Sequence, residues 1–234
     1  MHLLLLEHNR QILKLLFEDH FLLYHFLLCL KVLLLSNGVL RAPLETVDTL
    51  TLDNGMYVDW SVDRTLTINS DLALVNGALM THETSNDDDV YSLDLHVNGD
   101  LSVDAESAVD VSGRGYLGAN QGDNAGSQAG RTYDNTTGGG STGRAGGSHA
   151  GSGGEPTRAV AATYGDMQEP VTPGGGGGAL DASGTGGNGG GTMHVVVTGT
   201  ITYTGRFAAD GAPASGPAGG GAGGSVWIIA PICN

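Results

Sequence analysis

The sequence predicts an all-β chain: a right-handed single-stranded parallel β-helix carrying a large glycine-rich, polyproline-II-like insertion, preceded by an N-terminal hydrophobic helix. Three observations carry this expectation. Apolar and polar residues alternate along short segments after Pro43, one nine-residue template recurs three times, and 36 of the 40 glycines fall between residues 113 and 224.

The hydrophobic helix rests on Phe21 to Leu35, which reads FLLYHFLLCLKVLLL, fifteen residues interrupted only by His25 and Lys31. That is short of the ~20 apolar residues of a spanning helix and suits the apolar core of a signal peptide. Small Ser36 and Gly38 fit a cut after Gly38. The preceding residues are net acidic rather than basic, so an uncleaved anchor, a misplaced start and a plain amphipathic helix stand beside that reading. Any membrane contact is expected through this segment alone.

The coils, residues 39–112 and 193–234, rest on alternation. The template is apolar-x-apolar-x-small-Asp/Thr-apolar-x-apolar, at Leu66–Leu74, Leu95–Val103 and Val195–Tyr203. Strict alternation with β-branched residues marks half-buried strands. The small fifth residue (Ser70, Gly99, Gly199) marks a bend. Template starts at 66 and 95 lie 29 residues apart, a repeat in which each unit buries its apolar face against its neighbours. The expected stack is Leu66, Ile68, Leu72, Leu74, Leu95, Val97, Leu101, Val103, Val109, Val111, Val195, Val197, Ile201, Val226 and Ile228. Two small β-sandwich halves joined by a linker are the competing arrangement.

The insertion, residues 113–192, contains Gly138–Gly140, Gly174–Gly178 and a GGNGGG run at 186–191. Glycine at no fixed period of three excludes collagen. Such a tract is either a random-coil linker or a set of three-residue-per-turn helices that bond through their backbones. Tyr116, Tyr133 and Tyr164, with Pro156, Pro170 and Pro173, are placed between the runs and favour partial order.

VDVSGRGYLG (109–118), GGSHAGSGG (146–154), PVTPGGGGG (170–178), GGNGGGTMHVVVTGTITYTG (186–205) and GGGAGGSVWIIA (219–230) resemble the glycine-rich parallel β-helix repeats of large secreted or surface proteins. A weaker similarity runs to the glycine-rich extracellular domain of anaplastic lymphoma kinase-type receptors. The resemblance implies a glycine-decorated β-helix and brings no catalytic residues. A repeat array needs a capping unit, and the chain stops at Asn234 just after a strand-like SVWIIA, so a truncated last coil and a piece of a longer protein are expected.

Composition narrows function. A formal charge of −15, with Lys14 and Lys31 the only lysines, disfavours nucleic-acid binding, which needs cations on phosphates. Cys29 and Cys233 form neither a disulfide framework nor a metal-ligand spacing. Gly139-Gly-Ser141-Thr-Gly143 satisfies G-x-S-x-G but lacks the strand and helix of a nucleophile elbow. The acidic loop Ser85–Val90 gathers Asp87, Asp88 and Asp89, a solvated loop or a Ca²⁺ candidate, and the residues a glycan-cleaving enzyme would use. No other cofactor is expected. His82, His96, His149 and His194 are scattered and read as surface residues, and Asn135-Thr-Thr137 is a glycosylation sequon. The function expected is a non-enzymatic secreted or cell-surface structural or adhesive module, binding an extracellular glycan or protein through its loops. The alternatives are a carbohydrate-active β-helix enzyme and a fragment with no activity of its own.

Overall fold

Alternation becomes strand wherever the template occurs. The structure, a computed structural model, describes residues 12–16, 30–154 and 159–234, with side chains from residue 32 onward. In chain order the strands begin with β1 (Ile12–Leu16), β2 (Leu30–Ser36), β3 (Val39–Arg41), β4 (Thr46–Asp53) and β5 (Met56–Asp59). There follow β6 (Thr65–Ile68), β7 (Leu72–Val75), β8 (Leu79–His82), β9 (Leu93–Val97), β10 (Leu101–Val103) and β11 (Ala108–Asp110). After the glycine tract come β12 (Thr192–Val197), β13 (Thr200–Tyr203), β14 (Arg206–Ala208), β15 (Ser225–Ile229) and β16 (Ile232–Cys233).

These strands lie in two parallel sheets, not in the expected right-handed single-stranded β-helix. One has eleven strands, in the order β15-β12-β9-β6-β4-β7-β10-β13-β16, with β2 on β4 and β1 on β2. The other has five, β14-β11-β8-β5-β3. Period-two alternation fixes the apolar face of each strand, and the 29-residue repeat fixes parallel pairing. Neither fixes the path by which one sheet leads to the next.

The N-terminal helix is also corrected. Residues 12–16 and 30–36 are strands, paired in parallel with one another. The rest of the apolar run, 21–29, with Cys29, lies outside the described residues. A short apolar run bounded by turn residues reads equally well as a buried strand or a helix. Leu33 and Leu35 decide it: both are fully buried, in register with Leu50 and Leu52 of β4. Between Ser36 and Gly38, Asn37 takes the left-handed conformation, φ 52°, so these small residues make a turn. A cut after Gly38 would take β2 with it.

Pairing stacks like on like. Leu33, Leu50, Leu72, Leu101 and Ile201 form one continuous inward row. Leu66, Leu95, Val195 and Ile228 form a second, and Tyr57, Met80, Val109 and Phe207 cross the smaller sheet as a third. All three belong to a single apolar core. At the last strands the cover thins: Val226 is 41% exposed and Ile228 only partly buried.

The template's small-Asp pair has a physical origin. Asp71 Oδ1 accepts the amide of Asp100 at 2.9 Å, and Asp100 Oδ1 accepts that of Thr200 at 2.7 Å. Each carboxylate thus ties its bend to the next repeat. A Cβ on Gly99 would stand 2.3 Å from Asp71 Oδ1 and 2.5 Å from the Ser70 carbonyl, so a side chain there would break the stack.

The described residues between β11 and β12 form no regular strand, yet their glycine runs are bonded to one another through the backbone. In Gly174–Gly178 the amide of Gly174 donates to Gly190 and that of Gly177 to Gly187. Gly175 donates to Ser148 and Gly178 to Ala145, while Gly176 donates to Arg131 and Ala179 to Gln128. Each neighbour is met at every third residue, the spacing of a three-residue-per-turn helix. The carbonyls of Gly174 and Gly177 accept from Tyr116 and Ala119, and those of Gly175 and Gly178 from Ala222 and Gly219. Five backbone runs therefore surround this one. A polyproline-II chain has no internal hydrogen bonds, so the lateral bonds satisfy groups that burial would otherwise leave unpaired.

Candidate functional site: the anchor of the glycine tract

The last residue of β8 and the loop that follows it hold the tract at both of its ends. His82 closes β8 on the parity of Met80, which turns its ring inward, and it is fully buried. Its Nε2 accepts the amide of Thr192 at 3.3 Å, at the return of the tract into β12. An amide can only donate, so the proton sits on Nδ1, which donates to the Glu83 carbonyl at 2.7 Å. The ring is therefore neutral. Burial is the main reason its pKa falls to about 4, and the Arg114 guanidinium lowers it further against the opposing pull of Glu83. A Cβ on Gly191 would lie 2.2 Å from Nε2, so the ring reaches Thr192 only past a glycine.

Glu83 holds the other end. Its carboxylate pairs with Arg41 and lies 4.0 Å from Arg114, whose residue opens the tract. Burial pushes the Glu83 carboxyl up, but the bonds from Arg41 and the Thr84 amide, with the charges of Arg41 and Arg114, hold it below its ordinary value. The Arg114 carbonyl accepts from both the amide and the hydroxyl of Ser85, each at 3.1 Å, and its guanidinium donates to Thr84 Oγ1 at 3.2 Å. A third contact comes from Asn135, whose side-chain amide donates to the carbonyls of Asn86 at 2.8 Å and Asp87 at 3.1 Å.

Asp87, Asp88 and Asp89 lie in this loop, beyond the anchoring residues. Asn86 Oδ1 accepts the amides of Asp88 at 2.8 Å and Asp89 at 2.7 Å, which makes the segment an Asx turn. Asp89 Oδ2 accepts the Tyr91 hydroxyl at 3.2 Å, while Asp87 and Asp88 are exposed. Among the described residues no three His, Cys, Asp or Glu side chains converge to hold a metal ion. No protein family, curated protein or solved structure matches this chain.

Other constellations are occupied by structural bonds. Ser141, centre of the G-x-S-x-G string, is fully buried, donates to the Gly146 carbonyl at 2.7 Å and accepts the Ala161 amide at 3.1 Å. On the outer face of the large sheet Thr65, Asp94, His194 and Trp227 stand side by side on β6, β9, β12 and β15. Thr65 donates to Asp94 Oδ2, His194 Nδ1 bonds Asp94 Oδ1 at 2.9 Å, and the imidazole lies 4.3 Å from the Trp227 ring. Activation of a hydroxyl needs the order hydroxyl, imidazole, carboxylate. Here hydroxyl and imidazole both bind the carboxylate, so Thr65 does not meet the imidazole. Asn135 of the sequon has its side-chain nitrogen committed to two carbonyls, so the folded chain does not offer it as a glycan acceptor.

His82, expected at the surface from its scattered spacing, lies in the core. The parity Met80–His82 in a strand was the available signal. Nothing local pointed to the pairing of Glu83 with Arg114, because it joins residues that only the stacking of repeats brings together.

The buried imidazole predicts acid lability. The unfolded state takes up a proton near the ordinary pKa of 6.5, while the folded ring refuses it until about 4. Stability is therefore full above pH 6.5, falls by up to about 3 kcal/mol as pH drops towards 4, and levels off below. Glu83, held low, adds a loss below its ordinary 4.5. Asp59, in register with His82 on β5, is pushed above 3.8 by burial against the bonds it accepts from Ser61, and it opposes both, stabilising as pH falls. Burial also lowers the pKa of His149, which adds a loss of the same sign as pH falls below 6.5. Unfolding free energies measured from pH 8 to pH 4 should slope down, and in His82→Gln the slope between 6.5 and 4 should shrink to what His149 leaves.

Proposed function

We propose that the chain is a non-enzymatic structural or adhesive module of a secreted or cell-surface protein, a stiff spacer whose loops meet an extracellular glycan or protein. The observation that supports this reading is the lateral bonding of the glycine runs. Backbone bonds at every third residue turn a side-chain-poor tract into a slab, and His82 at the end of β8, with the loop after it, fastens that slab to the sheets at Thr192, Arg114 and Asn135. Rigidity here comes from backbone groups, which leaves loop surfaces free to vary. The chemistry-bearing side chains His82, Glu83, Ser141 and His194 are engaged in bonds that hold the fold together. Export and surface placement rest on the sequence resemblance.

The test is to incubate the full chain with acidic and neutral polysaccharides, measure product length, and follow binding to the same polymers and to extracellular proteins on an array. Retention without shortening is the expected result. Depolymerisation that disappears in Asp88→Asn would replace the proposal with the enzymatic alternative.

A further inference from the structure

The tract gathers its aromatic side chains on one flank. Tyr133 sits on a tight reversal closed by the Thr132–Thr136 bridge, where Asp134 and Asn135 both take positive φ, 59° and 54°. Asp and Asn tolerate this conformation better than other residues with side chains, and Tyr133, at the head of the reversal, is 50% exposed. The ring is nevertheless 5.6 Å from that of Tyr164, inclined at 47°. Tyr164 is held in place: its hydroxyl donates to the Pro173 carbonyl at 2.9 Å, and its ring packs on His149 at 5.1 Å and Tyr116 at 6.2 Å. Tyr116 is itself buried, at 4% exposure. One tyrosine thus faces solvent, one is fixed beside it, and the third is out of reach of a large reagent.

We propose that Tyr133 and Tyr164 form a site of oxidative cross-linking, joined as dityrosine by a haem peroxidase acting with hydrogen peroxide. The peroxidase removes one electron from the exposed Tyr133 phenol, whose proton goes to water. Tyr164 then gives an electron to the Tyr133 radical by ring contact and releases its proton to water, losing its bond to Pro173, while the reduced Tyr133 regains a proton from water. Tyr133 is then oxidised a second time, again releasing its proton to water. Coupling of the two phenoxyl radicals forms one carbon–carbon bond between positions ortho to the hydroxyls. The two ring hydrogens at that bond return to the oxygens as the rings regain aromaticity. In sum two phenols lose two hydrogen atoms, and one peroxide is reduced to two waters. The product closes a loop between residues 133 and 164 and fastens the exposed reversal to the slab, removing freedom from the unfolded chain. The inference rests on ring geometry and solvent access, not on the role proposed above.

The experiment treats the dilute full chain with haem peroxidase and hydrogen peroxide, followed by proteolysis and mass spectrometry. The expected product is a joined pair of peptides holding residues 133 and 164, lighter by two hydrogens, with dityrosine fluorescence from a chain that remains monomeric. Tyr133→Phe and Tyr164→Phe keep the ring packing and should each abolish it. Tyr203→Phe should not, because Tyr203, though 44% exposed, faces Phe207, which cannot couple. A product chiefly between molecules, one that includes Tyr203, or an undiminished yield in Tyr133→Phe would overturn the proposal.

Discussion

Replacing Gly177 with alanine is expected to break the centre of the glycine slab, while the same change at Gly151 leaves it intact. A Cβ on Gly177 would stand 1.9 Å from the Gly219 carbonyl oxygen and 2.5 Å from its carbon. Both atoms belong to a backbone held by its own lateral bonds, so neither yields as a flexible side chain would. Forcing an extra methyl into a close-packed interior costs about 1–3 kcal/mol and more where backbone must move. The upper end, about 3 kcal/mol, is expected here, because Gly177 donates to Gly187 while its carbonyl accepts from Ala119, so displacing it strains two neighbours at once. Gly151 has nothing within 4 Å of the same added atom, and alanine there stabilises by about 0.4–1 kcal/mol by restricting the unfolded chain. Amide exchange across residues 174–191 and denaturant midpoints separate the two. Equal behaviour of the two variants would mean that the runs are not packed as described.

The second large effect lies in the sheets. Leu101→Ala removes a fully buried side chain from the middle of the row Leu72, Leu101, Ile201, and should cost about 2–5 kcal/mol. Its neighbour Ser102 points to the outer face beside Ala73 and Thr202, and Ser102→Ala should stay within about 0.5 kcal/mol. Two adjacent residues with such unequal costs report strand parity directly. Urea denaturation of both variants checks it, and comparable losses would mean that the register is shifted by one.

Parity was also the part of the molecule most open to sequence reading. The expected inward residues from Leu66 to Val111 are buried, and the bends fall at Ser70, Gly99 and Gly199, because alternation and small residues are local signals. The arrangement of strands was not local. Two parallel sheets follow from which repeat meets which, and β4 shows the difficulty: its first half pairs with β6 and its second with β7, since one more residue separates those partners than separates the two halves. The leucine-rich segment misled through its length, which suited a helix as well as a strand, until the rows begun by Leu33 and Leu35 decided between them. At the candidate site the acidic triplet drew attention by its density. The residues that fasten the tract, His82 and Glu83, carried only a parity signal and a distant arginine.

The lateral bonding of the glycine runs has a consequence for how such a protein can change over evolutionary time. Because neighbours are met at every third position, loss or gain of a single residue within a run turns all later donors by a third of a revolution, away from their acceptors. Whole turns can be added or lost with each contact kept. Length variation inside these runs should therefore come in threes, with other indels confined to the reversals between them.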